Sequence, residues 1–211
     1  MAGQIRCGNS RTGFARLLLL TVLAGHVISF CFIMDYISII HKYYPEDNEL
    51  RRLLIRHSRD VAGRALLIAS RHPELGLDTA FVEEAAMLHD LGIFMTDAPG
   101  IYCHGTDPYI RHGIDGATLL RSEGFPLHAR VCERHTGTGI TARQVAERHL
   151  PLPECDFTPE TMEEQVICYA DKFFSKSHPD SARTVEQAAR SLGKFGQEGV
   201  NKFMLWAKMF E

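Results

Sequence analysis

None of the six cysteines, Cys7, Cys31, Cys103, Cys132, Cys155 and Cys168, forms a Cys-x-x-Cys pair. At 211 residues the chain is also too large to need disulfide staples. Reduced thiols in a cytoplasmic protein are the expectation. An excess of positive charge is likewise missing. Lys and Arg number 23 against 26 Asp and Glu, a formal net charge of −3, which argues against a protein that coats nucleic acid. No run of strand-like alternation and no long internal repeat is evident, so neither a sheet protein nor a solenoid is expected. The apolar fraction of 45% supports a real core, and the length suits one domain with a short appendage.

Acidic residues are absent from residues 1–34, which carry Arg6, Arg11 and Arg16 and then an uncharged run over 17–34. A basic flank before an apolar run is the pattern of a signal peptide or membrane anchor. Thr21, Gly25, His26 and Ser29 dilute that run, however, and no small-x-small cleavage site precedes Cys31. Met34 then opens a more ordinary sequence. Residues 1–34 are therefore read as an N-terminal extension from an over-extended start, with a hydrophobic anchor as the lesser reading and a packed helix as a third. An anchor with its N-terminus inside would leave the remaining domain, 35–211, outside the cell, away from cytoplasmic nucleotides. The domain is accordingly placed in the cytoplasm, with membrane association only if 17–34 is a real anchor.

From residue 35 onward the punctuation reads as helices. They are expected over 35–44, 47–72, 78–90, 108–123, 127–136, 141–149, from Thr158-Pro159 to beyond Asp171, and over 181–192 and 197–210. A long Gly- and Pro-containing loop is expected over 91–107. In the second of these helices Leu50, Leu53, Leu54, His57, Val61, Ala65 and Ile68 recur at three or four residues, which puts His57 on the buried face. Asp78 is a helix N-cap, and Thr141 is another. The fold class is all-α, an irregular helical bundle.

Eleven histidines is a high count and fits a metal-binding protein. His89-Asp90 stands where an apolar helix meets Leu91-Gly92, so both side chains can turn toward one ion. His57 lies upstream, His112 and His135 follow, and Asp171 comes last. That order supplies six N and O donors from different helices, enough for two hard or borderline metals. His26, His41, His72, His128, His149 and His178 have no partner pattern and read as structural or surface residues. Cys132 reads as core.

His57-Ser-Arg-Asp-Val-Ala, Met87-Leu-His-Asp-Leu-Gly92, Glu133-Arg-His-Thr-Gly-Thr-Gly-Ile-Thr141 and Tyr169-Ala-Asp-Lys172 carry a resemblance to the HD-domain metal-dependent phosphohydrolases. The resemblance runs from about Leu53 to about Phe174 and is nearest to small HDIG-type proteins of the two-metal subset. It implies an HD-domain helical bundle in which His57, His89, Asp90 and Asp171 hold one divalent metal. Asp90 bridges to a second metal that His112 and His135 complete, with Fe, Mn, Co, Zn or Ni as the candidates. It also implies hydrolysis of a phosphate ester or anhydride of a small nucleotide-like substrate by a metal-activated hydroxide, with His89 and Asp90 at the catalytic centre. Small two-metal relatives that cleave dinucleoside polyphosphates suggest one substrate class. Many family members carry a Lys shortly after the His-Asp-apolar-Gly run, where this chain has Ile93-Phe94.

Other residues near the motifs have plainer readings. Lys172 could meet a phosphate, although a solvated helix lysine is the simpler expectation. Thr136-Gly-Thr-Gly139 could offer backbone N–H groups to an anion or be only a turn. Glu83 or Glu84 could orient a ligand histidine or be solvated, and His104 could belong to a lid or lie on the surface. Two other functions fit the same residues: a di-iron HD-type oxygenase, and a nucleotide-binding regulatory protein without turnover. The sequence does not address the oligomeric state.

Overall fold

The computed structural model describes residues 34–211 and the backbone of two short strands, β1 (Val22–Leu23) and β2 (His26–Val27), paired antiparallel. The extension read over 1–34, including its possible anchor, otherwise lies outside the described residues. No described helix is long and apolar enough to cross a membrane. The chain divides into two compact units, and the second, Tyr36–Glu211, holds every motif discussed above.

That unit is a helical bundle, as expected. Its helices are α1 (Tyr36–Tyr43), α2 (Glu49–Arg71), α3 (Thr79–Leu88), α4 (His112–Ser122), α5 (Pro126–Arg134), α6 (Ala142–Glu147), α7 (Met162–Asp171), α8 (Val185–Leu192) and α9 (Gln197–Phe210). The apolar stripe of α2 buries Leu54, His57, Val61, Ala65 and Ile68 against α3 and α7. Side-chain caps decide most of the starts. Asn48 accepts from Arg51 N, and Asp78 accepts from Phe81 N. Thr141, Thr161 and Thr184 each form a reciprocal capping box with the residue three positions on.

These caps correct two expected boundaries. The helix bearing Asp171 begins after Thr161 rather than at Thr158-Pro159, and α8 begins after Thr184 rather than at residue 181. A side-chain oxygen that bonds the N3 amide, answered by Glu164 or Gln187, satisfies two otherwise orphaned donors, which Pro159 cannot do. The first turn expected in the helix over 108–123 is instead a separate 3-10 turn, Tyr109–Arg111, and α4 starts at His112. The loop over 91–107 holds a small hairpin, with β3 (Asp97–Ala98) antiparallel to β4 (Cys103–His104), where no strand was expected. Cys103, Cys132 and Cys168 are free and buried.

Behind the site, α9 packs on α7. The ring of Tyr169 lies 4.9 Å from Phe203 and 5.3 Å from Phe210, and Phe173 meets Tyr169 edge-on at 5.0 Å. Tyr169, Phe173, Phe203 and Phe210 are all fully buried. Such aromatic contacts add to the burial of large apolar surfaces, and here they fix the helix that ends in Asp171.

On the other side, Gly92 lets the chain after His89-Asp90 lie directly on α4. A Cβ at Gly92 would overlap the His112 carbonyl and the Gly116 backbone. Because the obstacle is backbone, no rotamer change relieves it. Gly92→Ala is expected to lower unfolding free energy by about 1–3 kcal/mol, the usual range for overpacking a core. Urea unfolding checks this, and a variant as stable as the parent would contradict the close approach.

Candidate metal centre

Four histidines and two aspartates converge inside the bundle. His57 comes from the middle of α2, His89 from the C-cap of α3 with Asp90 next to it, and His112 from the first residue of α4. His135 is the C-cap of α5, and Asp171 is the last residue of α7. All six are buried. Helix ends serve here because a terminal side chain can point along the axis into a space that one helix alone cannot surround.

Three of the histidines are aimed in the same way. Nδ1 of His89 lies 2.6 Å from the Ala86 carbonyl, Nδ1 of His112 lies 2.6 Å from the Tyr109 carbonyl, and Nδ1 of His135 lies 2.7 Å from the Cys132 carbonyl. Each acceptor is three residues upstream. A nitrogen this near a carbonyl oxygen must be the donor, so the network assigns the proton to Nδ1 and turns Nε2 inward. That is the arrangement of a metal-ligating imidazole whose other nitrogen is held by a backbone acceptor.

The two Asp90 oxygens face different groups. Oδ2 lies 3.2 Å from His57 Nε2 and 3.1 Å from His89 Nε2. Oδ1 lies 3.5 Å from His112 Nε2 and 3.4 Å from His135 Nε2. Asp171 Oδ1 closes the first group, 3.0 Å from His57 Nε2 and 3.6 Å from His89 Nε2. His57, His89, Asp90 and Asp171 thus form one cluster able to hold a metal, and Asp90, His112 and His135 form a second. Ligands about 2.0–2.1 Å from a tetrahedral ion sit about 3.3–3.4 Å from one another, a value inside the 3.0–3.6 Å range of these donor separations.

The donors also fit a metal by what they lack. His89 Nε2 is buried and makes no hydrogen bond of acceptable geometry, and Asp90 Oδ1 accepts none. His112 Nε2 and His135 Nε2 face each other at 3.1 Å. With both Nδ1 atoms protonated, those are two lone pairs in contact, an arrangement that a cation relieves. Burial, joined by the neighbouring His135, pushes the His112 pKa down to about 3, and burial lowers that of His135 as well. Burial also opposes charge on His89, but Asp90 and Asp171 outweigh it and raise the pKa to about 9. Burial works against ionised Asp90 and Asp171 too. Lys176 and His89 hold Asp90 well below the usual carboxylate range, and Lys172 and His57 do the same for Asp171. The cluster therefore holds its carboxylates as anions and His112 and His135 neutral, the states metal ligands require, whereas His89 carries a proton that a bound metal would displace.

Two lysines complete the electrostatics. Lys172 is nearly buried, not the solvated helix lysine expected, and it donates to the His135 carbonyl at 3.0 Å and to Asp171 Oδ2 at 2.5 Å. Lys176, not singled out in the sequence, places Nζ 2.6 Å from Asp90 Oδ2. It stands five residues after Asp171, and no local sequence pattern marks it. Other candidates lie apart from the donors. Glu84 pairs with His128 at 3.2 Å, and Glu83 accepts from Tyr36 at 2.9 Å, so neither orients a ligand histidine. Thr136–Gly139 is a turn closed by Gly139 N to the Thr136 carbonyl at 2.9 Å, and His104 is exposed on β4.

The HD domain profile matches residues 54–175, more than half of the chain. The chain belongs to the HD domain family. It is 32% identical over 144 residues, 64% of its own length, to a tRNA (cytidine(56)-2'-O)-methyltransferase of Picrophilus torridus. It is 29% identical over 163 residues, 77% of its length, to an enzyme of the same name from Thermoplasma volcanium. An uncharacterized protein of Methanocaldococcus jannaschii shares 33% identity over 131 residues, 61% of this chain and 70% of that protein. The chain spans only 38% and 41% of the two methyltransferases. No solved structure matches it.

In this HD domain the His-Asp turn is clamped from two sides. Cys132 Sγ donates to the His89 carbonyl at 2.9 Å, and the buried Tyr44 hydroxyl donates to the Leu91 carbonyl at 2.8 Å. Tyr44→Phe leaves that buried carbonyl without its donor. It is expected to lower stability by about 1–3 kcal/mol, the penalty for an unsatisfied buried group. A thermal or urea midpoint equal to the parent's would contradict the clamp.

Proposed function

We propose that the chain is a metal-dependent phosphohydrolase with two divalent ions, acting on a phosphate ester or anhydride of a small nucleotide-like substrate in the cytoplasm. The observation that carries this reading is the division of Asp90, with one oxygen in each donor cluster. A shared carboxylate between two sets of inward imidazoles suits two neighbouring cations. His57, His89, Asp90 and Asp171 would hold one, and Asp90, His112 and His135 the other. Bound there, such ions supply a hydroxide near neutral pH and neutralise phosphate oxygens. Nitrogen and carboxylate donors of this kind accept Fe, Mn, Co, Zn or Ni.

The chain's own residues supply the rest. The backbone carbonyls of Ala86, Tyr109 and Cys132 hold the imidazoles in the ligating tautomer. Lys172 fixes Asp171 and ties it to the His135 backbone. Lys176 brings a positive charge to the edge of the donor set, where an anionic phosphate would approach. The methyltransferase activity in the relatives' names is not carried over, because the chain spans well under half of those enzymes.

The test is metal content and turnover measured together. The full chain, purified without chelators, is expected to hold about two metals. It is expected to release phosphate from at least one member of a panel of nucleotides, dinucleoside polyphosphates and simple phosphoesters. Joint replacement of His112 and His135 by Ala is expected to leave about one metal per chain and to abolish most hydrolysis. Two irons with oxygen consumption and no phosphate release would move the reading to an oxygenase. No turnover with one metal or none would favour a regulatory protein.

A further inference from the structure

A cavity of about 420 Å³ opens beside the donor clusters. Asp171 of the first cluster lines it, as does Tyr109, whose ring stacks on the second cluster's His112 at 4.7 Å. Its remaining charged lining residues are all cations: Lys172, Lys176, Arg183 and Lys194. That is an unusual surface for a chain with a net charge of −3. Lys176, Arg183 and Lys194 lie beyond residue 175, where the family match ends. This wall is therefore built by the chain's own C-terminal segment.

The four cations are not equivalent. Lys172 and Lys176 are paired with Asp171 and Asp90. Arg183 is docked by its backbone, N donating to the Phe173 carbonyl at 2.8 Å, and Nη1 donates to the Lys172 carbonyl at 3.2 Å. A guanidinium has five N–H donors in a fixed fork, so most remain for an anion. Lys194 also lines the cavity, its ammonium 4.8 Å from the centre of the Phe195 ring, and that turn is held by Arg148 donating to the Phe195 carbonyl at 2.5 Å. One phosphate at the donor clusters would leave Arg183 and Lys194 without an anionic partner from the substrate. A second phosphate in the cavity would give them one.

We propose that Arg183 and Lys194 bind a second, non-reacting phosphate, so that the substrates are compounds with linked phosphates rather than monophosphates. The proposal rests on the phosphohydrolase reading of the neighbouring donors. The binding test is run on the full chain stripped of metal, which makes it independent of turnover. Inorganic tripolyphosphate and orthophosphate are titrated by calorimetry into the parent, Lys194→Met, and Arg183→Met with Lys194→Met.

The parent is expected to bind tripolyphosphate at least about tenfold more tightly than orthophosphate, and the double variant to lose most of that preference. Lys194 is exposed, so the single variant folds as the parent does and is expected to lose part of it. No preference in the parent, or full preference in both variants, overturns the proposal. On the metal-loaded chain, the variants are expected to lower kcat/KM about tenfold for a nucleoside triphosphate and little for a monophosphate. Failure of the loaded parent to hydrolyse any phosphate compound would instead overturn the hydrolase reading, and it would leave a measured tripolyphosphate preference standing.

Discussion

One buried carboxylate governs this structure. Asp90 is fully buried, and burying an uncompensated ion in a protein interior costs several kcal/mol even after relaxation. Everything around it answers that charge. His57 and His89 face one oxygen, His112 and His135 face the other, and Lys176 reaches it from the C-terminal segment. A carboxylate so placed is stable only among cations or hydrogen-bond donors, yet His112 and His135 present lone pairs. A cation between these groups resolves the conflict, and the family to which the chain belongs is consistent with one.

The fold serves that carboxylate by delivering helix ends to it. Asp90 and Asp171 sit at C-terminal ends, and His112 opens α4. Their positions are set by contacts well outside the site. Gly92 lays the His-Asp turn on α4, Tyr44 and Cys132 hold the carbonyls on either side of it, and the Tyr169–Phe203–Phe210 stack seats α7. Ligand spacing of a few tenths of an ångström depends on this second layer, because a donor set is only as precise as what supports it.

The six residues that converge were legible in the sequence through their order, His57, His89-Asp90, His112, His135 and Asp171, and through the motifs that resemble the HD domain. His57 also lay on a readable apolar face. The helical class followed from periodicity and punctuation. What the chain concealed were features that exist only in three dimensions. Lys176 reaches Asp90 across 86 positions of sequence, and no local pattern marks it. Lys172 has the composition of a surface residue and is drawn inward only by Asp171 and the His135 carbonyl. The starts of α7 and α8 were misplaced because a capping box at Thr161 or Thr184 outcompetes a nearby proline or serine, and both signals are short. The hairpin over 97–104 gives two-residue strands, too brief for any alternation.

The central claim is that Asp90 bridges two cations. Anomalous diffraction from a crystal of the metal-loaded full chain tests it most directly. The account predicts two anomalous peaks about 3.5–4 Å apart, the spacing of known two-metal sites, one on each side of the Asp90 carboxylate. A single peak at His57, His89, Asp90 and Asp171, with His112 and His135 unliganded, would contradict it.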